Sequence, residues 1–327
     1  MKDVHVVFGT GAIGLALIDE LAGRGVPVRA VNRSGSAGVP EGVELLGGDV
    51  CDKDFAGRAA TGAAVVYQCL NPAYYRWAED FPVLQDSAIH AARTVDARLV
   101  SFENVYAYGD TGGAPITETT LANPHTRKGK VRLVMAEQLR RMHDDGELAV
   151  TTARASDYFG PRGATQSPFG DLVIGAALAG KPARVIGNPD LPHSYTYTAD
   201  AARTLAALGT RDDVLGEVFH VPNAPALTTR QIIDLIADEL GSPIKVSVAP
   251  RLLLRAIGLF NKTVREVDEM RYEFTQPFVV DGAKSQSRLG IAPTPMAEAI
   301  AATVAWFRDR QEAGGRALGQ EHPSDPQ

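Results

Sequence analysis

Three glycines constrain the start of this chain more than any other feature. Gly9-Thr10-Gly11-Ala12-Ile13-Gly14 directly follows the apolar run VHVVF and opens AIGLALIDELA, whose apolar side chains recur at helical spacing. A strand that bends this tightly into a helix needs a residue without Cβ at the bend. A helix that lies close against that strand needs another in its first turn. Strand, glycine turn and helix in that order confine the chain to α/β architectures.

The alternation continues. VRAV (28–31), VELL (43–46), AAVVYQ (63–68), RLVSF (98–102) and LAVTTARA (148–155) read as buried strands, with helical patterns at 81–95 and 130–145 between them. Strands buried on both faces and joined by helices make a parallel doubly wound sheet, so the expected fold is an α/β Rossmann domain with a smaller C-terminal substrate lobe. Beyond residue 160 the rhythm is broken by Gly160-Pro161, Gly180-Lys181-Pro182, Gly187-Asn188-Pro189 and Leu191-Pro192. The expected organisation is 1–160 for the nucleotide domain, which also receives about 195–225, then 161–194 and 226–311 for the substrate lobe. Thr228 or Thr229 caps a helix running to Leu240, and further helices are expected at 251–260, 263–274 and 296–310. The polar, Gly- and Pro-containing tail 312–327 reads as disordered.

Composition narrows the partners. With 33 Lys plus Arg against 39 Asp plus Glu, a formal charge of −6 and no long basic run, neither nucleic acid nor a membrane is an expected partner. Apolar stretches end short of the ~20 residues of a membrane span. The N-terminus also lacks a signal-peptide layout, so a cytoplasmic location is expected. Cys51 and Cys69 are too few for a zinc site or a disulfide framework and read as structural thiols, and no metal is expected.

In the βαβ setting the glycine turn has a mechanism. Gly9 permits the bend, Gly11 lets a pyrophosphate approach the backbone amides around Thr10, Ala12 and Ile13 at the helix N-terminus, and Gly14 lets the helix sit on the sheet. At the end of the second strand the chain reads Val31-Asn32-Arg33-Ser34, without the carboxylate that would hold a ribose 2′-hydroxyl and repel a 2′-phosphate. Arg33 can pair with that phosphate, assisted by Ser34 and Asn32, which favours NADP over NAD. Asp49 either reaches the adenine amino group or caps the next helix.

These motifs, with Ser101-Phe102-Glu103-Asn104-Val105-Tyr106-Ala107-Tyr108-Gly109, Asp157-Tyr158-Phe159-Gly160-Pro161 and Tyr195-Thr196-Tyr197-Thr198-Ala199-Asp200, make the chain resemble the extended short-chain dehydrogenase/reductase family, the branch of NAD(P)-dependent epimerases, dehydratases and carbonyl reductases. The resemblance covers about 3–310 and implies a nicotinamide cleft between Rossmann domain and substrate lobe, with Tyr158 among the cofactor contacts. It also implies a catalytic Tyr-x-x-x-Lys pair, yet none of the nine tyrosines has Lys four positions on. Registered on Tyr108-Gly109 and Glu137, Asn104 takes the family's Ser/Thr position, Gly129 the tyrosine position and Leu133 the lysine position. The candidate substitutes are Tyr106, Lys128, His125 and Asn104: a phenol whose pKa a nearby cation depresses, and an amide to hold the oxyanion.

Where nucleotide-sugar members of the family carry an arginine for the substrate pyrophosphate, this chain has His193, which cannot clamp an anion in bidentate fashion. The expected substrate is therefore a small, partly apolar carbonyl, enone or imine compound, with His193, Phe169 and Tyr195 lining its pocket. The function expected is NADP-dependent hydride transfer with non-standard proton donation. Two alternatives stay open, a catalytically silent NADP(H)-binding regulator and a redox-neutral epimerase or isomerase. A homodimer is compatible with all three.

Overall fold

A computed structural model describes residues 3–250, 260 and 262–319. The nucleotide domain starts with strand β1 (Val4–Phe8), helix α1 (Ala12–Gly23), β2 (Val28–Asn32), β3 (Glu44–Gly47), α2 (Lys53–Ala59), β4 (Ala63–Gln68), α3 (Trp77–Thr94), β5 (Arg98–Asn104), α4 (Arg127–Asp144) and β6 (Val150–Ala155). Then follow β7 (Asp157–Phe159), the three-residue α5 (Ala176–Leu178), β8 (Ala183–Val185), β9 (Pro192–His193), β10 (Tyr195–Tyr197), α6 (Thr198–Thr210), β11 (Val218–His220), β12 (Leu227–Thr228), α7 (Thr229–Leu240) and β13 (Val246–Val248). Helices Lys262–Glu269, Ala283–Leu289 and Met296–Gly319 complete the chain.

Seven strands form one parallel sheet in the order β11-β6-β5-β4-β1-β2-β3. One face buries Leu17, Leu21, Leu205 and Leu208 of α1 and α6 against Val7, Val65 and Val100. The other buries Ala56, Ala88, Ile89 and Leu139 of α2, α3 and α4 against Val6, Val66 and Leu99. Both faces are therefore apolar, which is why the strands read as near-continuous hydrophobic runs. Strand order reverses between β1 and β4, and in open sheets of this kind the crevice at the carboxyl ends beside that switch is where ligands bind.

A second core packs Phe159, Phe169, Ile174, Tyr195, Ile232, Ile236, Ile300 and Phe307. Within it α7 starts with a capping box in which the Thr228 hydroxyl accepts from the Gln231 N–H and the Gln231 side chain accepts from the Thr228 N–H. Three expectations are corrected. The helix starting at Met296 runs on to Gly319 instead of ending at 310, because Arg310, Gln311, Glu312 and Ala313 favour helix enough to carry it past Gly314 and Gly315. In 263–274 helix stops at Glu269, and Arg271–Phe274 forms a separate 3-10 turn. Cys51 is exposed ahead of α2 while Cys69 is buried, so only Cys69 packs as a small apolar group. Residues 251–259 and 320–327, where a helix and part of the tail were expected, lie outside the described residues. Among the described residues no helix is long and apolar enough to cross a membrane.

Candidate active site

At the strand-order switch, Gly9 takes φ +101°, and a Cβ there would lie 2.7 Å from the Cys69 carbonyl oxygen at the end of β4. A Cβ on Gly14 would lie 1.9 Å from the Gly9 carbonyl oxygen. Both glycines are thus required by backbone approach. Gly11 differs, since a Cβ there would meet nothing within 4 Å. It is the N-cap of α1, no side chain caps that helix, and no acidic residue sits in its first turn. An uncapped helix N-terminus with open space above it carries partial positive charge and free N–H donors, which fits a dinucleotide pyrophosphate.

Asn32, at the end of β2, donates from Nδ2 to the Thr10 hydroxyl at 2.8 Å and to the Ser36 carbonyl at 2.9 Å, and its Oδ1 accepts from the Gly35 N–H at 2.7 Å. Its role is to tie the β2 loop to the glycine turn. Arg33 and Ser34 are exposed beside it. Asp49, also exposed, accepts from the Cys51 N–H at 3.0 Å, whereas the cap of α2 is Asp52, which accepts from Asp54 and Phe55 N–H groups. Tyr158 lies in β7 with its hydroxyl donating to Gln166 Oε1 at 2.6 Å.

The expected proton-donor residues fall differently. A Cβ on Gly129 would lie 2.6 Å from Pro124 Cβ and 2.7 Å from the Tyr106 carbonyl oxygen, so the helix that carries the family's tyrosine has no room for one here. Lys128 is 1% exposed, forms an ion pair with Glu266, lies 3.3 Å from Glu269 and places Nζ 4.4 Å from the centre of the Tyr74 ring. This corrects its reading as a cation beside a catalytic phenol, because its charge is already met by two carboxylates. Tyr106 packs against Trp77 at 5.7 Å and adjoins Tyr74. Burial first, and then the Glu273 charge, pushes its phenol well above the ordinary value, opposite to the expected depression. His125 is exposed, meets Tyr272 edge-on at 5.3 Å, and lines a surface cavity with Pro82, Arg127 and Lys130. Asn104 is half-buried and its Oδ1 accepts from the Tyr106 N–H at 3.3 Å.

The substrate residues also need correction. Phe169 is fully buried and Tyr195 is 2% exposed, both within the second core, so they hold the lobe together. His193 is 3% exposed, stacks on Tyr195 and Phe274, and has both ring nitrogens engaged: Nδ1 with the Glu273 carbonyl at 3.2 Å and Nε2 with Asp157 at 3.1 Å. Glu273 itself, missed in the sequence, is 1% exposed with neither carboxyl oxygen hydrogen-bonded. Burial raises its carboxyl well above the usual range and the Asp157 charge adds to the rise, while the Tyr272 hydroxyl, close but outside hydrogen-bond geometry, offsets a part.

A doubly wound sheet with an open glycine cradle at its switch point defines the class of dinucleotide-binding Rossmann proteins. Residues 5–221 match the NAD dependent epimerase/dehydratase family, and the chain belongs to that family of nicotinamide-dinucleotide-dependent enzymes. It is 25% identical over 249 residues, 73% of its own length and 67% of the relative's, to a 2'-dehydrokanamycin reductase of Streptomyces kanamyceticus. Similar solved structures include an epimerase of Methanothermobacter thermautotrophicus (TM-score 0.80, 19% identity, 96% of this chain and 95% of that one). A UDP-glucose 4-epimerase of Thermotoga maritima with UDP-glucose has a TM-score of 0.76 at 18% identity, covering 94% of this chain and 99% of that one. A dTDP-glucose 4,6-dehydratase of Streptomyces venezuelae with NAD has a TM-score of 0.76 at 18% identity, covering 95% and 98%. At such identities the likeness is one of fold.

Proposed function

We propose that the chain is an NADP-dependent oxidoreductase that reduces the carbonyl, enone or imine group of a small, partly apolar substrate. The observation that carries this reading is the conjunction of an open cradle at Gly11 with an exposed Arg33, and no carboxylate, at the end of β2. A guanidinium there pairs with a ribose 2′-phosphate in bidentate geometry. His193 speaks against a nucleotide-sugar substrate, because both its nitrogens are occupied within the protein and it offers no anion clamp. The name of the Streptomyces kanamyceticus relative, a reductase, supports reduction over epimerisation.

When bound, the dinucleotide supplies a hydride donor. Gly11 and the first turn of α1 hold its pyrophosphate, Asn32 keeps the two loops in register, and the substrate lobe covers the cleft. NADPH oxidation followed against a panel of ketones, aldehydes, enones and imines tests the reading. Oxidation with at least one class is expected, and tight NADPH binding without oxidation by any class contradicts it.

The crowding at Gly129 favours a second reading, a regulator that binds NADP(H) without turnover. It predicts that a protein partner associates differently with the NADP-bound and NADPH-bound forms. Identical association curves count against it. A redox-neutral epimerase would instead interconvert substrate and product with no net change in cofactor absorbance.

A further inference from the structure

The strand register places Asp157 on the ligand-binding edge of the sheet. Phe8, the last residue before the glycine turn, pairs with Gln68 of β4, Gln68 pairs with Ser101 of β5, and further along β5 Asn104 pairs with Ala155 of β6. All four strands are parallel, so Asp157, just past Ala155, stands at the carboxyl edge that also carries the glycine turn. β1, β4, β5 and β6 are neighbours in that order, and three spacings of about 4.8 Å put the end of β6 roughly 14 Å along the edge from the turn. Asp157 also lies at the seam of the two halves: its charge reaches the phenols of Tyr74 and Tyr106 in the nucleotide domain and of Tyr272 in the substrate lobe. Its side chain is 19% exposed and so, unlike Glu273, open to solvent.

Oδ2 of Asp157 meets His193 Nε2 at 3.1 Å, the one side-chain partner this carboxylate has among the described residues. A carboxylate can accept about four hydrogen bonds, so Oδ1 keeps capacity for a ligand. The cations beside the same phenols are already paired. Lys128, whose Nζ is 4.4 Å from the centre of the Tyr74 ring, is held by Glu266 and Glu269, and Arg127 by Glu266. A half-buried carboxylate with free capacity among aromatic rings suits an organic cation, to which it offers charge-assisted hydrogen bonds and the rings offer cation–π attraction. It repels phosphate and carboxylate groups.

We propose that Asp157 selects a protonated amine, so that the substrate is an amino carbonyl compound whose ammonium group this carboxylate holds at the seam of the two lobes. The inference rests on the reductase reading above and adds a substrate class to it. In the complex an ammonium N–H donates to Asp157 Oδ1 while Oδ2 stays on His193. The carboxylate is held ready for that role. His193 is stacked on Tyr195 and Phe274, the Ser156 N–H donates to the Thr196 hydroxyl at 3.1 Å, and the Ser156 hydroxyl donates to the Ser194 carbonyl at 2.6 Å. An acceptor fixed in this way loses little freedom when the ligand arrives.

The test has a turnover arm and a binding arm, both on the full chain with NADPH at neutral pH. In the first, a cyclohexanone bearing an amino group opposite the carbonyl is compared with its methyl and hydroxyl counterparts. The wild type should favour the amine in kcat/KM by about 10–100-fold, the effect of one charge-assisted hydrogen bond, and Asp157→Asn should erase that ratio. In the second, calorimetry of the NADPH-loaded wild type should register cyclohexylamine more tightly bound than cyclohexanol, a difference that Asp157→Asn should lose. Equal binding of the two probes by the wild type, or a preference kept by Asp157→Asn, overturns the assignment, and the wild-type comparison decides even where the variant does not fold. Reduction of all three ketones without preference for the amine also overturns it and leaves the reductase reading standing. If no ketone is reduced while cyclohexylamine still binds through Asp157, the reductase reading fails and the ammonium site stands.

Discussion

The Asn32 side-chain amide donates to the Thr10 hydroxyl at 2.8 Å, joining the end of β2 to the turn that follows β1. The two loops that would hold the pyrophosphate and the adenosine ribose therefore move as one piece. Replacing Asn32 with Ala removes this bond and those to Ser36 and Gly35, each worth about 0.5–1.5 kcal/mol. NADPH affinity should drop by about tenfold, equivalent to ~1.4 kcal/mol, as read by calorimetry. Unchanged affinity would show that the tie has no part in binding.

Arg33→Asp tests cofactor choice. A carboxylate at the end of β2 repels a 2′-phosphate and accepts from a ribose 2′-hydroxyl. The ratio of NADPH to NADH affinity should fall by at least about tenfold, again ~1.4 kcal/mol. A constant ratio would mean that the 2′ position is read elsewhere.

Two neighbouring glycines should respond oppositely to Ala. At Gly14 the new methyl collides with backbone, 1.9 Å from the Gly9 oxygen, and no flexible side chain can give way. Overpacking of this kind costs about 1–3 kcal/mol, so a lower melting temperature is expected. At Gly11 the methyl enters open space, so stability should hold while cofactor binding weakens. Thermal melts and calorimetry on both variants read the contrast, and equal melting losses would contradict it.

The Lys128–Glu266 pair predicts a pH dependence of stability. Burial opposes ionisation of Glu266, but hydrogen bonds and charge from Lys128 and Arg127 outweigh it and hold the carboxyl below its usual value. A depressed carboxyl stabilises the fold above its unfolded pKa, about 4.3, and that contribution disappears as pH falls through the lower folded value. Lys128→Met leaves Glu266, 7% exposed, paired with Arg127 but without its buried partner, and should cost about 1–3 kcal/mol near neutral pH. Denaturant unfolding at pH 7 and pH 3 should show the variant's deficit narrowing in acid. A deficit independent of pH would contradict the pairing.

The nucleotide half was legible because its signals are local. Continuous apolar runs mark the strands where both sheet faces are buried, period-3.6 patterns mark the helices between them, and Gly9 and Gly14 report close backbone approach that a Cβ would obstruct. Strand ends were less legible: Val43 falls outside β3, which starts at Glu44, and α3 begins at Trp77 ahead of Pro82, with Arg76 and Asp80 paired across its first turn. Contacts between distant segments were hidden for another reason. Glu273 in EMRYEF carries no local sign of burial, and only tertiary packing leaves it 1% exposed near Asp157, far away in sequence. Lys128 was read as a cation available to a catalytic phenol because its partners Glu266 and Glu269 lie on a helix distant in sequence. Phe169 and Tyr195 show that an aromatic's type does not separate pocket from core, since both choices satisfy the same hydropathy.

Calorimetric titration of the folded wild-type protein with NADPH and with NADH tests the central claim most directly. The account predicts saturable binding of both nucleotides at one site, with NADPH tighter by at least about tenfold through Arg33. Absence of heat with either nucleotide, in a sample whose thermal melt shows it folded, would contradict the account at its base.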